Sequence, residues 1–147
     1  MAIQYVKGDI TRATENLILQ GCNCFCTMGA GVARALSTKW PQVLAADRKT
    51  TRGDKEKLGT YSGARVGKNQ YVLNCYTQYR YGRDRKHLDN EALSRVLAQI
   101  ARKIGDREVS VAMPYLGCGL AGGNWETDVL PLVERHLGHL SVTVYHL

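Results

Sequence analysis

Val109-Ser110-Val111-Ala112-Met113-Pro114-Tyr115-Leu116-Gly117-Cys118-Gly119-Leu120-Ala121-Gly122-Gly123-Asn124-Trp125 is the stretch on which the fold turns. Its first five residues form an apolar run of strand length. Pro114 stops that run, and glycines at 117, 119, 122 and 123 follow before a helical pattern takes over from Trp125 to about Leu137. A strand that passes through a glycine-rich loop directly into a helix is the building unit of a helix-covered parallel sheet.

The same order recurs nearer the amino end. Leu17-Ile18-Leu19-Gln20 is a short apolar run of the kind a strand shows when both its faces are covered. A loop runs from Gly21 to Gly31, and Val32, Leu36 and Trp40 then fall at helical spacing until Pro41 closes or kinks the helix. A second helical piece is expected over residues 42–49. Ile3 to Lys7 reads as a buried first strand ended by Gly8-Asp9. Residues 58–66 and 71–77 read as paired strands around the turn Gly67-Lys68-Asn69. Leu93, Val96, Leu97, Ile100, Ala101 and Ile104 line one face of a helix, with Asp89 placed to cap its start and Gly105 to stop it. The last helix, over 125–137, is expected to carry a kink or fixed turn at Pro131 and to end at Gly138. Residues 141–146 form the last strand. Strands alternate with helices, so the class is α/β: a three-layer α/β/α sandwich with a mixed, mostly parallel central sheet, one domain over 1–147.

At 147 residues, with 44% hydrophobic and 22% charged residues, the chain matches one globular domain. A domain of this size buries ~68–70% of its unfolded surface, which needs no disulfide or metal staple. The apolar content excludes disorder as the main state, and no run approaches the ~20 apolar residues of a membrane span. The start shows no basic region followed by a long apolar segment, so the cytoplasm is the expected compartment. A net charge of +7 and a pI near 9.3 favour anionic partners. The densest basic stretch, Arg80-Tyr81-Gly82-Arg83-Asp84-Arg85-Lys86-His87, is either a solvated loop or a rim that steers an anionic ligand or meets a phosphate backbone. Five cysteines are an odd number for a disulfide framework. Cys22-x-Cys24-x-Cys26 lacks the second pair that structural zinc sites show, so no metal is expected and the thiols read as small apolar residues at a strand end.

In sheets of this kind ligands bind at the carboxyl ends of the strands. Both glycine-rich loops follow strands and should therefore share one edge. Glycines let backbone N–H groups approach an anion, and a helix N-terminus adds a positive dipole end. Two such loops point to a clamp on a phosphate or diphosphate; tight turns alone are the other reading. There is no Gly-Lys-Ser/Thr pattern and no dinucleotide fingerprint after the first strand. Asp9 either caps the segment that follows it or accepts from an exocyclic amine such as adenine's, with the Ile10 amide donating to a ring nitrogen.

Taken in order, these residues resemble a macrodomain, the ADP-ribose-binding fold. The resemblance runs through Tyr5-Val6-Lys7-Gly8-Asp9-Ile10, Asn23 with its glycine-rich loop, Met113-Pro114 with Gly117-Cys118-Gly119-Leu120-Ala121-Gly122-Gly123, and the strand around Val142-Thr143-Val144-Tyr145. It is nearest to the small stand-alone ADP-ribose 1″-phosphate phosphatases of bacteria, phages and yeast. It implies that Asp9 and Ile10 hold adenine, and that Asn23 orients the distal ribose and is the catalytic residue. Gln20, Thr27, Met28, Gly29, Ala30, Gly31 and Val32 would line the ligand, as would Leu116, Gly117, Cys118, Gly119, Leu120, Ala121 and Gly122. Tyr115 or Tyr145 would flank the adenine, whereas Trp125 reads as a helix-start anchor.

The implied activity is binding of ADP-ribose and hydrolysis of a derivative, with ADP-ribose 1″-phosphate ranked first. A non-catalytic ADP-ribose-binding module is the alternative, as is a hydrolase removing ADP-ribose or acetyl groups. No cofactor is expected, nor a membrane, and the chain is expected to be a monomer. Nucleic acid ranks third among readings. Three positions depart from relatives' catalytic side chains. The glycohydrolase branch has a Lys where this chain reads Tyr76-Thr77-Gln78 and an Asp where it has Ala121. The yeast-type phosphatase has a His where this chain has Gln20. No His, Asp or Glu lies in either loop; Cys24 and Cys26 are the side chains of the first considered for a base.

Overall fold

The computed structural model describes residues 3–147, so Met1 and Ala2 lie outside the described residues. Its strands are β1 (Ile3–Lys7), β2 (Leu17–Cys22), β3 (Tyr61–Gly67), β4 (Gln70–Tyr76), β5 (Ser110–Met113) and β6 (Ser141–His146). Its α-helices are α1 (Gly31–Lys39), α2 (Pro41–Arg48), α3 (Asn90–Ile104) and α4 (Leu130–Leu137). The six strands form one sheet in the order β1-β6-β5-β2-β4-β3. All neighbours are parallel except β3 and β4, which pair antiparallel as a hairpin.

The alternating side chains of β2 and β4 divide the core in two. Leu19, Leu73 and Cys75 face α3 and α4, packing on Leu93, Leu97, Ile100, Val133 and Leu137. Ile18, Val72 and Tyr76 face α1 and α2, packing on Leu36 and Val43. The chain is thus an α/β/α sandwich. The apolar face of α3 is the one its spacing predicts, the Asp89 carboxylate accepts from the Ala92 amide at 3.0 Å, and Gly105 caps the far end.

Several expectations need correcting. The first strand is not buried: β1 pairs only with β6, so Tyr5 (46% exposed) and Val6 (37%) face solvent. The strand expected from residue 58 begins at Tyr61. A 3-10 turn at Lys55–Lys57 and Gly59, at φ +86°, interrupt extended backbone there, and Thr60 bonds back to the Lys57 carbonyl. Of the two roles expected for Pro41 it takes the first: α1 closes at Lys39, and Pro41 itself opens α2, standing at its first turn, where a missing N–H costs nothing. The last helix starts as a π-helical stretch, Trp125–Val129, and becomes α-helical around Pro131.

Beneath the first loop lies a buried polar cluster. Asp47 on α2 is 1% exposed; its Oδ1 accepts from the Tyr76 hydroxyl at 2.7 Å, and its Oδ2 has no partner among the described residues. Burial pushes this carboxyl above its ordinary range. A carboxyl whose folded pKa is raised binds its proton more tightly in the folded chain. Its stabilising contribution is therefore complete below the unfolded value and is lost as pH rises through the folded one. Asp47→Asn is expected to gain stability relative to the parent chain as pH rises from about 4 to about 7. Paired urea titrations across that range measure it, and a constant difference would refute it.

Candidate functional site

β2 and β5 are neighbours in the sheet, yet their ladder covers only Leu17–Val111 and Ile18–Ala112. β5 ends at Met113 while β2 runs on to Cys22, and the chain then leaves β2 for the α1 face and β5 for the α4 face. A crevice opens where neighbouring connections part in this way. Here it is a cleft of about 660 Å³ at the carboxyl edge of the sheet. A second concavity of about 650 Å³ lies at the amino edge, built from the α3–β5 and α4–β6 turns with Asp106, Arg107 and Glu108. It brings no loop of the kind described above to a helix start.

The first loop is held by Asn23, which is 9% exposed. Its Oδ1 accepts from the Phe25 amide at 2.8 Å, and its Nδ2 donates to Thr27 Oγ1 at 2.8 Å and Thr27 O at 3.2 Å. Both amide protons are thereby used, and one Oδ1 lone pair is left. Cys26 adopts a left-handed φ of +58°, with its sulfur 3.6 Å from Lys57 Nζ, and Lys57 also donates to the Cys24 carbonyl at 3.1 Å. This buried lysine fastens the underside of the loop. The loop ends at Ala30, which starts α1 with no side-chain cap. Asp89 caps α3, Asn124 the π-helical stretch, and Asp9 and Asp54 the short 3-10 turns. α2, opened by Pro41, and α4, continuous with the π-helical stretch, also lack a side-chain cap, but of the three only the first turn of α1 lines the cleft, and its amides are left for a ligand there.

The second loop closes on itself. Cys118 N donates to Tyr115 O (3.0 Å), Gly122 N to Gly119 O (3.1 Å) and Gly123 N to Gly117 O (2.8 Å). Between these closures the amides of Gly119, Leu120 and Ala121 meet no acceptor among the described residues. Asp128 clamps the loop's exit, accepting from the Asn124 amide (2.8 Å) and Asn90 Nδ2 (2.9 Å) and pairing with Lys86 (3.1 Å). Those contacts, the Asn124 amide first, lower its carboxyl to about 2.

Beneath the cleft lies a polar but neutral layer, of which Gln20 reaches the lining. Asn74 donates to the Val43 carbonyl and to Ser62 Oγ, which turns its Oδ1 to receive Gln20 Nε2 at 2.9 Å. Gln20 Oε1 is left buried and unpartnered, as is Thr77 Oγ1. Thr77 lies so close under Gly21 that a Cβ there would stand 3.0 Å from the hydroxyl. Burial raises the Cys24 thiol to about 11 and the Cys22 thiol well above its ordinary value, so neither supplies a thiolate base at neutral pH.

Of the site residues expected from sequence, the cleft brings together Gln20, Asn23, Thr27, Met28, Gly29, Ala30, Gly31 and Val32 with Leu116, Gly117, Gly119, Leu120 and Ala121. Asp9, Ile10, Cys118 and Gly122 are not among its lining. Asp9 stands at the carboxyl end of β1, on the same sheet edge, with Oδ1 taken by the Thr11 amide (2.9 Å) and hydroxyl (2.8 Å). The hydroxyl bond comes first among the causes that hold its carboxyl below the usual range. Tyr115 lines the cleft, whereas Tyr145 donates to Glu15 Oε1 and does not. Trp125 donates to the Tyr5 hydroxyl at 3.1 Å and packs edge-on to Tyr115. Gln78, at the position where the glycohydrolase branch carries its Lys, lines the cleft; Tyr81 and Gly82 also line it without having been singled out, and their signal was the basic stretch over 80–87, whose Arg83 is the one cation in the lining.

Comparison with known proteins accords with this architecture. A family model described as Macro domain matches residues 19–129. An uncharacterized 17.5 kDa protein of enterobacteria phage T4 is 37% identical over 136 residues, covering 86% of this chain and 84% of that one. A DNA ADP-ribosyl glycohydrolase of Mycobacterium tuberculosis is 26% identical over 97% of this chain, which spans 42% of that protein. An ADP-ribose 1″-phosphate phosphatase of Debaryomyces hansenii is 26% identical over 97% of this chain and 98% of its own. Among solved structures, a Streptomyces coelicolor macrodomain protein superposes with a TM-score of 0.78 at 30% identity, over 99% of both chains. With its family match spanning both glycine-rich loops, the chain belongs to the Macro domain family.

Proposed function

We propose that the cleft binds ADP-ribose and that the chain hydrolyses ADP-ribose 1″-phosphate to ADP-ribose and phosphate. One observation carries the reading. The uncapped start of α1 and the unbonded amides of residues 119–121 line a single cleft and present N–H groups without a carboxylate between them. That array fits a diphosphate. The names of the Mycobacterium and Debaryomyces relatives support an ADP-ribosyl ligand.

In this reading the amides of both loops grip the diphosphate. Asn23 accepts from a hydroxyl of the distal ribose through its remaining lone pair. Water attacks the terminal phosphorus, the bond from phosphorus to the 1″ oxygen breaks, and the water's proton passes through a non-bridging phosphate oxygen to that departing oxygen, so the sugar leaves as the hydroxyl and phosphate as its hydrogen phosphate. The amides offset charge on the transferring phosphoryl group. The ionisable side chains lining the cleft are Cys22, Tyr81, Arg83 and Tyr115; none is a histidine or a carboxylate, and burial raises the Cys22 thiol well above its ordinary value. The proton of the attacking water goes to the substrate's own phosphate, and turnover rests on positioning. The same missing base favours a second reading, a module that holds ADP-ribose without turning it over.

A panel of ADP-ribose 1″-phosphate, O-acetyl-ADP-ribose, and ADP-ribosylated protein and DNA, with each product identified, separates these readings. Phosphate release from the first is the expected result. Tight binding with no product from any of them establishes the module. Asn23→Ala is expected to lower phosphate release roughly 100-fold through misplacement of the loop and ribose. Cys24→Ala, which removes a protonated thiol bonded to the Gln78 carbonyl, is expected to stay within about threefold. Equal small losses remove Asn23 from the mechanism.

A further inference from the structure

We propose that the basin beside the cleft is a binding site for single-stranded nucleic acid. It is a concavity of about 550 Å³ lined by Lys55, Tyr79, Arg80, Arg85, Lys86, His87 and Asp89, the last with its carboxylate engaged by the Ala92 amide as the cap of α3. Chain continuity joins it to the cleft, since Tyr81, Gly82 and Arg83, between its residues, line the cleft itself.

The charges are not spent on neighbours. Lys86 pairs with Asp128, but Lys55, Arg80, Arg83 and Arg85 form no ion pair among the described residues. Three of these line the basin and Arg83 the adjoining cleft, and four free cations along that path match a run of phosphates. An aromatic platform accompanies them. Phe25 and Tyr79 meet at 5.0 Å between centroids, and Phe25 and Tyr81 at 6.4 Å. The Arg80 guanidinium lies 5.5 Å from the Phe25 ring and 5.7 Å from that of Tyr79, with Lys55 Nζ 5.3 Å from the Tyr79 ring on the basin side. Tyr81 is 56% exposed. Cations beside an exposed ring, Tyr81, backed by the part-buried Phe25 and Tyr79, suit an unpaired base, which stacks, and not a duplex, whose base faces are covered. An acidic protein surface would use the cations and leave the rings idle.

Anisotropy of a labelled unmodified oligothymidylate of about 12 nucleotides, titrated from about 50 to about 200 mM salt, tests this independently of ADP-ribose. Neutralising four phosphates on a single strand predicts a slope of about −3 in log affinity against log salt. Lys55→Ala/Arg80→Ala/Arg85→Ala should flatten the slope to about −1 and weaken binding at least about tenfold. Tyr81→Ala should weaken binding about fivefold or more with the slope unchanged. Lys68→Ala/Arg102→Ala/Lys103→Ala removes the same charge at the amino edge of the sheet and should leave affinity within about twofold.

The assignment is overturned by salt-insensitive failure to bind, or by equal losses in the two triple variants. Displacement by poly-glutamate as effective as by oligonucleotide, with Tyr81→Ala silent, overturns it in favour of an acidic-protein surface. The basin triple variant is also titrated with ADP-ribose and thermally unfolded. Oligonucleotide loss with both of those unchanged supports the site, and loss seen only with a lowered midpoint overturns it. Loss of the cleft reading through the ADP-ribose titrations leaves the oligonucleotide result standing.

Discussion

Gly119→Glu is expected to weaken ADP-ribose binding about 100-fold or more while leaving the thermal midpoint within about 2 °C. A Cβ built at Gly119 meets no atom within 4 Å, and its φ lies outside the left-handed range, so the folded chain admits a side chain there without strain. The open space is the cleft itself. A glutamate would occupy the volume proposed for the diphosphate and set a carboxylate against it, and like charges brought together cost several kcal/mol. Calorimetric titration with a parallel thermal scan makes the measurement. Retained affinity in a stably folded variant would remove the second loop from the ligand's path.

A very different outcome is expected four residues on. Gly123→Ala places its Cβ 2.6 Å from the Gly117 carbonyl oxygen and 2.4 Å from Leu88 Cδ2. Leucine can rotate away, but the carbonyl cannot, because it accepts the Gly123 amide that closes the loop. Overpacking against backbone costs about 2–3 kcal/mol, which lowers the midpoint of a domain this size by roughly 4–12 °C. Binding should fall with it, since the free amides of 119–121 are held between the two ends of that closure. A midpoint unchanged from the parent chain would show that the loop relaxes freely and that its shape is not imposed by this contact.

How far the fold is legible in the sequence depends on the range of the forces involved. The α3 pattern, the Asp89 cap and the β3–β4 hairpin are local, and the chain declares them through periodicity and turn chemistry. The partnership of β2 with β5 is not declared anywhere, because strands 90 residues apart meet through register and burial alone. β1 shows the same limit. Its composition resembles that of an interior strand, and only the sheet order, with β6 on one side and nothing on the other, leaves Tyr5 and Val6 exposed. The interruption before β3 hides in Gly59, whose left-handed φ is invisible without its surroundings.

At the site, the two loops are legible because glycine and helix starts carry a physical meaning of their own. The Gln20–Asn74 pairing beneath them is not, since it joins side chains 54 positions apart across adjacent strands. Asp9 carries two readings in the sequence, a cap and an acceptor for an exocyclic amine; the structure shows Oδ1 as the cap on Thr11, on the same sheet edge and outside the cleft lining. The rim over 78–83 was visible as charge but not as position, because a loop's path depends on what it packs against.

β1 and β6 run side by side in the same direction, so the chain enters the sheet at one edge and leaves it at the other. His146 stacks at 6.1 Å on Tyr115, which lines the cleft, and Leu147 beside it is 94% exposed. A handle attached after Leu147 would be launched beside the mouth of the cleft, whereas one placed before Ile3 would depart from the far side. Sensor chips and affinity resins loaded through the amino end would therefore present the mouth to the bulk liquid, and loading through the carboxyl end would turn it toward the support.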